Sequence, residues 1–220
     1  MQRQEWRALQ PWEQHEYIAA VLCLSAQPSV FEQGSSRYDD FVYAHVFEGA
    51  NTAHHSASFL PWHRFFIHAF ETALRNECGF RGSLTYWDWT LDADDLADSP
   101  VWDTITGFGG DGDLQFPEPE LFDGRCVADG PFAHAKRHWQ SKANGHGFDI
   151  LRNPHCLSRG FAPTERKEVF GSRIGPNAIT RLLKQPTYDE LIEMLEVKAH
   201  NTVPLFVHGD FFGLSAPNGK

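Results

Sequence analysis

The chain has 220 residues, of which 41% are hydrophobic and 14% aromatic, enough for a packed interior and too apolar for a disordered chain. Its formal net charge of −10 repels phosphate backbones, so nucleic acid is not an expected partner. No stretch approaches the roughly 18 apolar residues of a membrane span. The polar start, Met1 to Glu13, lacks the apolar run of a secretory signal, so an intracellular, cytoplasmic protein is expected.

Pro11 to Leu24 reads as a first helix, with Tyr17, Ile18, Val21 and Leu22 on one face. A Ser-, Pro- and Gly-containing connector leads to a second helix from about Arg37 to Glu48, ended by Gly49. Asn51 to Leu60 is polar and reads as a loop. Pro61 suits the first turn of a third helix running to about Asn76, with Phe66, Ile67, Phe70 and Leu74 inward and Gly79 as its cap. Tyr86, Trp87 and Trp89 precede an acidic run, Asp92 to Asp98. Gly107 to Arg125 is Gly-, Pro- and Asp-rich and reads mostly as loop. Pro131 to Leu183 shows no dominant period. After Pro186, Thr187 and Glu190 fit a capping box for a last helix ending near His200. The pattern predicts one mainly α domain over residues 1–220 with long loops.

Cys23, Cys78, Cys126 and Cys156 form no CxxC pair, which excludes a zinc ribbon. Without an export signal, reduced thiols are the first expectation, with one disulfide left open.

The chemistry concentrates in the histidines, of which there are twelve. His45 falls inside the second helix, His54 in the following loop and His63 in the first turn of the third helix. A helix, a loop and a second helix can bring three imidazoles to one point, and three neutral imidazoles with an open position are the layout of a catalytic metal site. Spacing alone fits three unrelated polar residues near helix ends better than a metal site.

The words around these histidines resolve the ambiguity. Ala53-His54-His55-Ser56-Ala57-Ser58-Phe59-Leu60-Pro61-Trp62-His63-Arg64 resembles the first metal-site signature of the tyrosinase/hemocyanin family. Asp39-Asp40-Phe41 with His45, then Glu71 and Tyr86-Trp87-Asp88-Trp89, also fit the family pattern. The likeness runs from about Tyr38 to Thr90 and resumes from Tyr188 to Asp210. It implies a helical bundle with His45, His54 and His63 as ligands, His55 facing away, and a small aromatic substrate. Thr52 stands where many fungal members carry a thioether-forming cysteine.

The second metal site of that family departs here. Its pattern is His-Asn-x-x-His followed by Gly-Gly-Asp, with a third histidine on a later helix. This chain reads His200-Asn201-Thr202-Val203-Pro204, then His208-Gly209-Asp210, and it ends at Lys220 before such a helix. His200 matches the first ligand, Pro204 cannot ligate, and His208 replaces a glycine. A dinuclear centre needs both ions held about 3.5–4 Å apart. The reading that follows is a one-ion site, with zinc expected and copper the alternative. In this respect the chain resembles short fungal zinc-dependent cyclopenases. Those convert a benzodiazepinedione epoxide to a 3-hydroxy-4-arylquinolin-2-one in secondary metabolism. A copper phenol oxidase and a non-catalytic metal-binding scaffold are the competing readings. His200, Glu71 and His208 are the candidate proton-transfer groups, and Phe66, Phe70 and Phe211 the candidate ring-holding residues.

His134 and His138, four apart, would share a helix face, but their basic neighbours favour a solvated turn. His155 is expected to be structural, and the acidic run lacks the spacing of a calcium loop.

Overall fold

Helix α1 (Pro11–Ala26) starts as predicted, with proline in its first turn and the Gln10 amide donating to Glu13 at 2.7 Å. Ile18, Val21 and Leu24 are its buried stripe. Helix α2 (Arg37–Ala44) is capped by Ser36, whose hydroxyl accepts from the Asp39 amide at 3.2 Å. Asp39 in turn accepts from the Ser36 amide at 2.8 Å and from His138 Nδ1 at 2.8 Å. The cap therefore also fastens α2 to a distant strand. Helix α3 (Phe59–Cys78) begins two residues before Pro61 and ends on Gly79, whose φ of 69° lies in the left-handed region open to glycine.

A computed structural model describes residues 2–118, 123–144 and 147–219. Residues 119–122 of the predicted Gly107–Arg125 loop, and 145–146 of the stretch without a period, lie outside the described residues. The fold is mainly α. Trp6, Leu24, Val42, Leu74, Phe132, Ile174 and Val207 are fully or almost fully buried in one apolar cluster drawing on elements from both ends of the chain. No helix among the described residues is long and apolar enough to cross a membrane.

Two differences from expectation matter for the site. The second helix does not stop at Gly49: it passes into a wide π-type segment, His45–Ala53, which absorbs the start of the predicted loop. The last helix does not stop at His200 either. It comprises α6 (Tyr188–Glu193), a π-type segment (Met194–His200) and α7 (Asn201–Val207), which carries Pro204 inside it.

The stretch without a period contains a long antiparallel hairpin, β3 (Lys136–Asn144) and β4 (Gly147–Cys156), with an irregularity in register between Arg137 and Trp139. The inward residues of β3 are Arg137, Trp139 and Ser141. Two short strands, β1 (Pro117–Glu118) and β2 (Gly124–Cys126), join β5 (Ser158–Arg159) in a three-stranded sheet. Helices α4 (Lys167–Ile174) and α5 (Pro176–Leu183) complete the framework. Arg159 is buried with its guanidinium donating to the carbonyls of Phe108, Gly109 and Gly110. Desolvation lowers its pKa to about 10.

The expectation of reduced thiols is corrected. Cys23 joins Cys78 and Cys126 joins Cys156, with Cα atoms 5.9 and 5.5 Å apart. The partners sit 55 and 30 residues apart in sequence, so only the packing of α1 on α3 and of β2 near β4 brings them within disulfide reach. The double variant Cys23→Ser/Cys78→Ser should lower the unfolding free energy by about 2–4 kcal/mol, read from urea melts against the parent.

Tyr38 is buried and donates its hydroxyl to the Pro217 carbonyl, and burial pushes its pKa up to about 12. Because the folded-state value is raised, the fold favours the neutral phenol. That contribution is complete below pH 10 and is lost as pH rises from there through about 12. Chemical melts across that window should show falling stability, and Tyr38→Phe should shrink the fall.

Candidate metal centre

His45 sits at the junction of α2 and the first π-type segment and is buried. Its Nδ1 lies 2.6 Å from the Leu214 carbonyl. His54 follows the π-type segment directly. Its backbone N–H reaches Gly49 O at 3.2 Å, a five-residue step, and its ring Nδ1 shares that carbonyl at 2.8 Å. The extra residue of the wide turn is what carries the Gly49 carbonyl to this imidazole. His63 is in the first turns of α3, with Nδ1 2.7 Å from the Phe59 carbonyl one turn back.

A carbonyl oxygen only accepts, so each Nδ1 bears a proton, and in the neutral rings each Nε2 carries the lone pair. The three histidines offer ligand atoms that all lie within 4.8 Å of one another. His45 Nε2 and His63 Nε2 are 3.3 Å apart. Two unprotonated nitrogens at that distance repel unless a cation lies between them. Two nitrogens bound at about 2.0–2.1 Å to one ion at a near-tetrahedral angle are also separated by about 3.3 Å. Tautomer and spacing both fit a metal ion, with ligand positions left over for substrate.

Aromatic rings wall the centre. Phe59 lies 4.5 Å from His63 and 5.3 Å from His200, centroid to centroid, and Trp62 stacks on Phe66 at 5.2 Å. Phe66 is itself 5.6 Å from His45. Phe70 instead packs on Tyr38 and Phe41, and Phe211 on the chain near Gly219, so of the three predicted ring-holding residues only Phe66 reaches the centre. Phe59 and Trp62 were visible in sequence only as part of the signature. Glu196, buried in the second π-type segment, was not singled out at all. It accepts the His55 amide at 2.8 and 3.1 Å and so pins the residue next to His54. The His55 side chain is exposed and faces away, as the resemblance implies.

The candidate proton-transfer residues separate. His200 closes the second π-type segment, with its ring 6.4 Å from that of His54 and Nδ1 2.9 Å from Asn201 Oδ1. Glu71 lies about 12 Å further along α3 than His63, taking eight residues at 1.5 Å each. It accepts from Arg75 Nη2 at 2.7 Å and from the Leu84 amide at 3.3 Å. His208 directs Nδ1 to the Gly160 carbonyl at 3.0 Å and stacks on Phe212. The structure thus brings His200 to the centre and engages Glu71 and His208 elsewhere. The Thr52 hydroxyl donates to the Glu48 carbonyl at 2.6 Å.

His134 occupies a turn with φ of 63°, while His138 lies on β3 against the buried Asp39, so they share no helix face and the solvated-turn expectation fails for His138. His155 Nε2 meets Asp210 at 2.8 Å, in a network with Ser158 and Asn218.

The common central domain of tyrosinase matches residues 35–218. The chain belongs to the tyrosinase family. It is 47% identical to the tyrosinase-like protein phomQ1 of Diaporthe leptostromiformis over 98% of this chain and 56% of that protein. It is 41% identical to tyrosinase ustQ of Aspergillus flavus, covering 98% and 58%. A solved polyphenol oxidase from Thermothelomyces thermophila superposes with a TM-score of 0.80 at 28% identity, covering 99% of this chain and 65% of that one. The chain spans a little over half the length of the curated relatives it matches.

Replacing His45, His54 or His63 singly by Ala should weaken divalent-metal binding at least a hundredfold, beyond the 10–100-fold typical of losing an outer-shell partner. Glu71→Gln should leave it within about twofold. Calorimetric titration of metal into the stripped protein checks both.

Proposed function

We propose that this protein is a metal-dependent oxidase of the tyrosinase type acting on a small phenolic substrate, with His45, His54 and His63 holding the ion and copper as that ion. The observation that carries the reading is the set of three Nδ1–H groups tied to backbone carbonyls, which leaves three Nε2 lone pairs directed to one point beside His200. The tyrosinase-type relatives and the polyphenol oxidase fold support the reaction class.

Bound copper would supply a redox-active Lewis acid for oxidising diphenol to quinone: two diphenols, each giving up two electrons and two protons, reduce one dioxygen to two waters. The chain's own residues do the rest. Phe59 and Trp62 form apolar walls for a flat ring. The Asn201 side-chain oxygen accepts from His200 Nδ1, leaving His200 Nε2 able to take the proton of a phenol. Glu196 holds the His54–His55 backbone against the second π-type segment, fixing the distance between the imidazole cluster and His200.

A second reading rests on Pro204, which occupies the turn after His200 inside α7 and offers no ligand. On that ground a single zinc ion would serve as a redox-inert Lewis acid for a cyclopenase-type ring contraction of a benzodiazepinedione epoxide to a 3-hydroxy-4-arylquinolin-2-one. As to location, the two disulfides favour an oxidising compartment over the cytoplasm expected from the polar start.

Elemental analysis of the purified protein, paired with assays on a diphenol under air and on the epoxide, separates the readings. Copper with quinone formation supports the oxidase, while zinc with quinolone formation overturns it in favour of the lyase. Under the favoured reading His200→Ala should lower kcat on the diphenol by about 10²-fold or more, with metal content at the three histidines unchanged.

A further inference from the structure

Of the three carbonyls that orient the ligand imidazoles, two belong to the same local stretch of chain as the histidine they serve. Gly49 is five residues before His54, and Phe59 is four before His63. The third is different. Leu214 is 169 residues from His45, in the segment that follows the short turn at Gly209–Phe211. A local carbonyl is placed against its histidine by the helix or turn they share; a carbonyl from a remote turn must be held against its histidine by something else.

That something is the hairpin. The Ser141 hydroxyl, on β3, accepts from the Leu214 amide at 3.1 Å and from the Ser215 amide at 3.3 Å. Ser141 and Ser215 are each 2% exposed, and Leu214 is 9% exposed, so water does not compete at this point. One hydroxyl thus grips both peptide N–H groups that flank the Leu214 carbonyl, and the carbonyl meets His45 Nδ1 at 2.6 Å. Ser141 faces inward on β3 between Trp139 and the exposed end of the strand, opposite Ile150. Further along, the segment is anchored by the Arg137 guanidinium donating to the Asn218 carbonyl at 2.8 Å and the Asn218 side chain donating to the Trp139 carbonyl at 2.7 Å. Those anchors act four residues beyond Leu214, and Tyr38 holds Pro217; the Leu214–Ser215 peptide itself lies in a turn closed by the Ala216 amide on the Gly213 carbonyl at 3.1 Å, and Ser141 fastens that turn to β3.

We propose that Ser141 is a positioning residue for the metal centre: through the Leu214 peptide it fixes the ring of His45. This rests on the reading of His45 as a ligand. A hydroxyl that holds a ligand's partner acts one bond further out than the partner itself. Its loss should still cost affinity at the low end of the 10–100-fold range seen for outer partners.

Cobalt(II) is the probe, because its ligand-field absorption reports coordination geometry without any turnover. In Ser141→Ala the stripped protein should bind Co(II) about tenfold more weakly with shifted absorption bands, while its far-UV circular dichroism stays that of the parent. Ser141→Thr, which keeps the hydroxyl, should restore both. Ser99→Ala removes a hydroxyl of similar burial from the turn before Trp102 and should change neither. Linkage gives an independent measurement on the unmutated protein: if His45 and the Leu214 peptide are coupled, Co(II) loading must slow hydrogen exchange at the Leu214 and Ser215 amides. Parental affinity and bands in Ser141→Ala, equal weakening in Ser99→Ala, or unchanged exchange on loading would each overturn the proposal. If His45→Ala binds Co(II) as the parent does, the ligand reading itself falls, and this inference falls with it.

Discussion

A backbone carbonyl has lone pairs and no proton, and the centre depends on that asymmetry. Wherever an imidazole nitrogen meets such an oxygen, that nitrogen carries the hydrogen, and in the neutral ring the opposite one does not. Three carbonyls, from Leu214, Gly49 and Phe59, impose this on His45, His54 and His63 together. The rings are thereby held as three donors of electron pairs facing inward, an arrangement that is repulsive without a cation and favourable with one. Fold elements far from the centre matter to the extent that they hold those oxygens still.

The wide turns belong to the same logic. An ordinary α-helical path after His45 would present a carbonyl four residues back from each amide. The π-type path gives His54 the carbonyl of Gly49, five back, for both its amide and its ring. The Gly49 α-carbon faces the rings of His54, Trp62 and His45, and a Cβ there would meet all three at ordinary contact distance, 3.5–3.7 Å. The second π-type segment ends on His200 and buries Glu196, which reaches across to the His55 amide. Two irregular helices, tied by one carboxylate, thus set the spacing of the groups around the centre. A π-type path gives up ideal hydrogen-bond geometry, and its concentration beside this site is where such turns are commonly found in functional proteins.

Helices α1 and α3 were legible because their signals were local: proline in the first turn, an apolar stripe, glycine at the end. The clustering of His45, His54 and His63 was legible because the Phe59–Arg64 words are specific. The hairpin was not. Its inward positions are Arg137, Trp139 and Ser141, so the alternation that marks a half-buried strand runs through a cation and a hydroxyl instead of aliphatic residues. Arg137 is tolerated there because its guanidinium donates to the Asn218 carbonyl and lies over the Tyr38 ring, contacts that no local pattern announces. The disulfides were hidden for a related reason, since cysteine spacing carries no record of which helices pack together. Glu71 drew attention by its place on α3, yet Arg75 and the Leu84 amide engage its carboxylate, and eight residues of helix separate it from His63.

Pro204 shows how a helix can hold a proline and keep its shape. Proline is costly inside a helix because it lacks an N–H and crowds the carbonyl four residues back. Here that carbonyl belongs to His200, at the end of a π-type segment whose hydrogen bonds are already displaced by one residue. The irregular turn relieves the clash that a straight α-helix would suffer, so Pro204 fits without ending the helix, and its own carbonyl still accepts from the His208 amide at 2.9 Å. His200 keeps its place beside Phe59 and His54 while the next turn offers only a hydrocarbon ring. One imidazole facing a complete three-histidine cluster is an arrangement suited to moving a proton at the edge of a metal site, and the same π-type segment that accommodates Pro204 is what aims that imidazole inward.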